Sequence, residues 1–149
     1  MDGLGLTVPK VLRTLQLAGY RATAARRAVI EAVLEKERHF SGAELLAEVA
    51  AADRSVGRAT VFRTLDVLVE LGVLGRVHRP EGGHGYVLCA RDHHHHHAIC
   101  SRCGLVVTLP GCPIDSVAER DAAAAGFRLE GHRLEYYGIC LACQGKGDS

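Results

Sequence analysis

Apolar residues in the first seventy positions recur at helical spacing. Val29, Ile30, Val33 and Leu34 form one stripe, Leu45, Leu46 and Val49 a second, and Val61, Leu65, Leu68 and Val69 a third. Polar punctuation separates them. Thr7 predicts the cap of a short helix running through Leu17, with Pro9 tolerated in its first turn and Gly19 closing it. Thr23 predicts the cap of a second helix reaching about Arg38. Ser41-Gly-Ala-Glu44 is a capping box, in which serine and glutamate satisfy each other's free amide donors, and it opens a third helix. Ser55 is the expected cap of a fourth, ending at Gly72. The period then changes. Val73–His78 and Tyr86–Cys89 read as short strands around the loop Arg79–Gly85, whose glycines permit a wide hairpin turn. Helices followed by such a hairpin predict a winged helix-turn-helix.

The second half differs. Leu105–Leu109 is a short β-prone run, Ile114–Ala125 is alanine-rich and helical with Gly126 as its stop, and Phe127–Ile139 has β character with broken alternation. Residues 144–149 form a polar tail. The expected fold class is α+β, with a winged-helix domain over 1–89 and a small α/β domain over 93–149. A unit of about 50 residues buries too little apolar surface to be robust alone, so metal and dimerisation are expected to support it.

Composition narrows the class. In 149 residues, 48% are hydrophobic and 23% charged, a globular balance that excludes wholesale disorder. No apolar run approaches the roughly 18 residues of a membrane span, and the first residues carry no secretory pattern, so the expected location is the cytoplasm. Net charge is +1, so any DNA-binding face must be local rather than a property of the whole chain.

Six cysteines and nine histidines carry the chemistry. Cys100/Cys103 and Cys140/Cys143 are two C-x-x-C pairs. A disulfide scaffold needs an oxidising compartment, and a redox pair needs only one such motif. Two pairs in a chain read as cytosolic predict four thiolates around one zinc, with no open position and hence a structural role. His93–His97 is internal, which argues against an expression tag. If that tract is extended, His93, His95 and His97 point one way and His94 and His96 the other, so one strand can serve two ions. A solvated histidine loop is the bland alternative. Cys89 belongs to neither C-x-x-C pair. A thiolate among imidazoles favours zinc over iron or manganese. His78 on the partner strand and His39 before the third helix compete to complete that face. Asp115 and His132 are candidates to join His94 and His96 on the other.

Taken together, Arg21-x-Thr23-x-x-Arg26, Ala59-Thr-Val-Phe-Arg-Thr-Leu65, the hairpin, His93–His97 with Cys100-x-x-Cys103-Gly104, and Gly138-Ile-Cys140-x-x-Cys143 resemble the ferric uptake regulator family of metal-sensing bacterial repressors. They span nearly the whole chain. Tyr86-Val-Leu-Cys89 is similar to the zinc uptake regulator branch. The resemblance implies an N-terminal winged helix, a hinge, here over 90–92, and a C-terminal dimerisation domain, with structural zinc on Cys100, Cys103, Cys140 and Cys143. It implies a regulatory zinc at the hinge on Cys89, His95 and His97, with His78 favoured over His39 as fourth ligand. It implies a second regulatory site on His94, His96, Asp115 and His132. Cys112 receives no role.

The implied function is a zinc-responsive, homodimeric repressor of metal-uptake genes, bound to a near-palindromic duplex operator and to no membrane, and not an enzyme. Arg58 and Arg63 would meet phosphate or guanine, Thr60 phosphate, and Phe62, where the family usually carries tyrosine, a thymine methyl. Arg21, Arg26 and Arg27 would hold the DNA backbone. The alternatives are an iron, manganese or peroxide sensor of the same family, a zinc store, or a zinc hydrolase. The hydrolase would need an open metal position and a placed general base, and no H-E-x-x-H pattern supplies them.

Overall fold

The computed structural model describes residues 5–89 and 95–146. The chain divides into two compact units at residues 92 and 93. The expected hinge over 90–92 and the histidines at 93 and 94 lie outside the described residues.

The N-terminal unit holds helices α1 (Val8–Leu17), α2 (Ala24–Leu34), α3 (Gly42–Ala52) and α4 (Arg58–Glu70), then strands β1 (Leu74–His78) and β2 (His84–Leu88). Thr7 and Thr23 cap the first two helices through their side-chain oxygens. The Ser41–Glu44 capping box is formed in both directions, at 3.1 and 2.7 Å. Each cap satisfies amide donors that the first helical turn leaves without carbonyl partners.

Two helix ends differ from the sequence expectation. α2 stops at Leu34, not near Arg38, because Phe40 exchanges both backbone hydrogen bonds with Tyr86 of β2, at 3.1 and 2.8 Å. That pairing needs extended backbone, and the distant strand outcompetes the local helix. The cap of α4 is Gly57, not Ser55, whose hydroxyl and amide are both held by Asp53. At the far end Gly72 turns the chain with φ of +71°, a left-handed conformation that glycine adopts without a Cβ clash.

The four helices close on Leu15, Ile30, Val33, Leu45, Val61, Leu65 and Leu68, all fully buried. Each large apolar side chain removed from water contributes about 1.5–3 kcal/mol before conformational entropy is charged against it. The hairpin pairs Leu74 with Leu88 and His78 with His84, and Phe40 stacks on Tyr86 at 5.8 Å. Helices α3 and α4 with this hairpin make a winged helix-turn-helix.

The C-terminal unit contains β3 (His95–Cys100), β4 (Val106–Pro110), helix α5 (Asp115–Ala124), β5 (Glu135–Gly138) and the short helix α6 (Leu141–Gln144). β3 is central, antiparallel to β4 and parallel to β5. Of the β-prone stretch Phe127–Ile139, only Glu135–Gly138 joins the sheet, which is what its broken alternation permits. α5 buries none of its residues, and Val107, Val117, Phe127, Tyr136 and Tyr137 are exposed. The whole is an α+β fold. Among the described residues no helix is long and apolar enough to cross a membrane.

Candidate metal centres and nucleic-acid interface

Cys100 ends β3, Cys103 follows in the turn, Cys140 caps α6 and Cys143 lies within it. All four are free thiols with their ligand atoms within 4.8 Å of one another. The Cys103 and Cys140 sulfurs are 3.7 Å apart. Zinc–sulfur bonds of about 2.3 Å in a tetrahedron set a sulfur–sulfur edge near 3.8 Å, so the spacing suits zinc without rearrangement. The backbone prepares the charge. Amide donors from Cys140, Cys103 and Arg102 lower the Cys100 thiol to about 6, and the Cys140 amide lies 3.4 Å from its sulfur. Cys143 is pushed up to about 12, chiefly because it shares a hydrogen bond with Cys140. Four sulfurs this close cannot all be anionic without a cation between them.

β3 alternates as an extended strand must. The His95 and His97 rings lie edge to face at 5.0 Å, while the intervening His96 stacks on His132 at 5.4 Å. Burial, with the neighbouring His95 adding to it, pushes His97 down to about 4, so its imidazole is neutral and able to ligate at physiological pH. In the other unit, Cys89 is buried just beyond β2, and burial raises its thiol to about 11 against a hydrogen bond from the Gly75 backbone.

The hairpin register corrects one expected ligand. His78 pairs with His84, whereas Cys89 lies beyond the Leu74–Leu88 pair at the opposite end of the ladder. Cys89 is level with Val73, five residues from His78, so at roughly 3.3 Å per residue the two are about 17 Å apart along the strands and the hairpin does not bring them to one ion. His39 precedes Phe40, beside the middle of β2.

The second expected site is also rearranged. His96, Cys112 and His132 place their ligand atoms within 4.8 Å of one another. Asp115 begins α5, exposed, with Oδ1 3.9 Å from His132 Nδ1. His132 turns its other nitrogen, Nε2, to the Cys112 sulfur at 3.1 Å. One imidazole cannot offer both nitrogens to the same ion, so the ion that His132 Nε2 would bind faces Cys112 and not Asp115. His94 lies outside the described residues. Sequence reasoning left Cys112 without a role. Its one signal was position, in a Gly-Cys-Pro turn between a strand and a helix.

On α4, Arg58 and Arg63 are exposed, Thr60 is half-buried, and Phe62 is half-buried with the Arg58 guanidinium 4.7 Å above its ring. The Cε1–Cζ edge of that ring meets Gly42 so closely that a Cβ there would lie 2.5 Å from it. Phe62 therefore braces α4 on α3 as well as facing outward. Near α2, Arg21 and Arg27 are exposed, and Arg27 lies 4.0 Å from Glu31. Arg26 is committed locally, donating to the Arg21 carbonyl at 2.9 Å and lying over Tyr20.

The sequence profile of the ferric uptake regulator family matches residues 17–137. The chain belongs to that family. The ferric uptake regulation protein of Bacillus subtilis (strain 168) is 32% identical over 142 residues, which are 93% of this chain and 95% of that protein. A zinc uptake regulator complexed with zinc and DNA has a similar structure, with a TM-score of 0.79, 26% identity and 93% of each chain covered. A zinc-bound manganese uptake regulator matches with a TM-score of 0.61 and 29% identity, over 91% of this chain and all of that one. Membership makes this chain a metal-responsive DNA-binding regulator and not an enzyme. Within the family, iron, zinc and manganese regulators all stand among its relatives.

Proposed function

We propose that this ferric uptake regulator family protein is a zinc-responsive repressor of metal-uptake genes. The observation that carries the metal assignment is the donor chemistry. Cys89, the one cysteine in the sequence of the N-terminal unit, lies just before the proposed hinge, and the His95 and His97 rings lie edge to face just after it. A sulfur and two neutral imidazoles suit zinc better than iron or manganese. Cys100, Cys103, Cys140 and Cys143 would hold a separate, structural zinc.

In this mechanism Cys89, His95 and His97 would hold zinc more tightly in the DNA-competent orientation of the two domains than in any other, and that differential affinity would favour the competent state. α4 then enters the major groove, with Arg58 and Arg63 on phosphate or guanine and Thr60 on phosphate. The methyl-facing role of Phe62 is restricted to the ring edge that Arg58 and Gly42 leave open. Arg21 and Arg27 reach the flanking backbone, and Arg26 stiffens the turn that carries them.

A homodimer on a near-palindromic site, in the cytoplasm, completes the proposal. It is supported by the exposed Val107 and Tyr136, which flank Ala98 on one face of the sheet and leave apolar surface there for a second copy to cover.

The test is selection of binding sites from a random-sequence duplex pool, followed by fluorescence anisotropy in metal-buffered solution. Tight binding should require free zinc, and Cys89→Ser should abolish the zinc dependence while the structural zinc stays bound. Ferrous or manganous ion promoting binding at lower free concentration than zinc would overturn the zinc reading. So would unchanged zinc dependence in Cys89→Ser.

A further inference from the structure

We propose that Cys112, His96 and His132 form a thiolate-containing metal site within the C-terminal unit, and that Asp115 orients His132 from outside it. The site rests on three nonlocal placements. β3 presents His96, 3% exposed, on the face opposite His95 and His97. The turn after β4 carries Cys112, made possible by Gly111 with φ of +76°. The irregular segment before β5 brings in His132. Their ligand atoms lie within 4.8 Å of one another, and the Cys112 sulfur is 3.1 Å from His132 Nε2.

A tetrahedral ion with bonds of about 2.3 Å to sulfur and about 2.05 Å to nitrogen needs a sulfur–nitrogen edge near 3.5 Å, so entry requires a spread of only roughly 0.4 Å. On binding, the Cys112 thiol gives its proton to solvent and the sulfur takes up the ion. His132 coordinates through Nε2, which leaves its Nδ1–H facing the Asp115 carboxylate at 3.9 Å. An approach about 1 Å closer would complete the hydrogen bond of a carboxylate–histidine–metal arrangement, which fixes ring tautomer and raises ligand basicity.

The chemical consequence is selectivity. A site of three imidazoles and a carboxylate accepts hard and borderline ions alike, whereas one sulfur and two imidazoles select zinc, or cobalt as its probe, over manganese and ferrous ion. The proposal deepens the zinc reading but does not depend on the hinge. Even if DNA binding answered to another metal, this cluster would still take a soft ion.

The experiment uses the full chain with its structural zinc in place, in a Cys89→Ala background that removes the hinge thiolate. Cobalt(II) is added and the near-ultraviolet sulfur-to-cobalt charge-transfer band recorded. The band should appear and should vanish in Cys89→Ala/Cys112→Ser. Cobalt should also protect Cys112 from iodoacetamide. Asp115→Asn should keep the band but weaken cobalt affinity by about 10–100-fold, the usual cost of losing an outer-shell partner. Cobalt bound without a charge-transfer band, no cobalt bound at all, or a band that survives Cys112→Ser would each overturn the assignment. Loss of the band in Asp115→Asn with cobalt still bound would refute the orienting role. Zinc-dependent DNA binding of the unmodified chain is read separately, so failure of this site and failure of the repressor reading are distinguishable.

Discussion

Glu44 ties the third helix to the wing, and its removal measures how strongly. Oε2 accepts the Ser41 amide at 2.7 Å, and Oε1 accepts from Arg79 in the hairpin at 3.0 Å. Hydrogen bonding from Ser41, reinforced by Arg79, holds its carboxyl below the ordinary value of 4.5. Loss of a capping interaction costs about 0.5–2 kcal/mol, typically near 1. The ion pair adds little, because Glu44 is 55% exposed and Arg79 keeps Glu81 as a second partner; about 0–1 kcal/mol is its range. Glu44→Ala should therefore destabilise the N-terminal unit by about 1–1.5 kcal/mol, at roughly 4–8 °C of melting temperature per kcal/mol in a unit of this size. Glu44→Gln keeps an acceptor for Ser41 and loses only the charge, so it should fall between Ala and wild type. The sign with pH follows from the lowered carboxyl. Its contribution is fully present above the unfolded value near 4.5 and is lost as pH falls through the lower folded value. Urea melts followed by helical circular dichroism, from neutral pH to about pH 3, would show the wild-type advantage over Glu44→Gln shrinking in acid. Identical midpoints for all three proteins at neutral pH, or an advantage that persists unchanged in acid, would refute the reasoning.

Other perturbations separate the remaining interactions. Gly42→Ala forces a methyl to 2.5 Å from the Phe62 ring, so its urea midpoint should fall by the equivalent of about 1–3 kcal/mol, and adding Phe62→Ala should remove most of that coupling. Cys103→Ser should abolish binding of the proposed structural zinc, detectable by elemental analysis, and collapse amide protection in β3, β4 and β5 while the N-terminal unit still melts cooperatively. Leu65→Ala, at a position with no solvent exposure, should cost about 2–5 kcal/mol by denaturant titration without changing zinc content.

What was legible in the sequence is what short-range chemistry controls. Thr7, Thr23 and the Ser41–Glu44 box define helix starts because a capping oxygen needs only the next three residues. The two C-x-x-C pairs define a four-sulfur centre because each turn aims its own sulfurs, and only one long-range closure remains. Period-two alternation alone separates His96 from His95 and His97. Tertiary structure decided the rest. α2 yields its last turn to the Phe40–Tyr86 bridge, and Gly57 caps α4 because Asp53 has already engaged Ser55. The strand register sends His78 to the far end of the hairpin from Cys89, a difference of pairing that spacing along the chain does not encode. Cys112 and Asp115 are three residues apart, yet the turn before α5 sends the sulfur to His132 Nε2 and the carboxylate to Nδ1. Which of two nearby donors meets an imidazole depends on the direction of approach, and that direction exists only once β3, the turn after β4 and the segment before β5 have packed together.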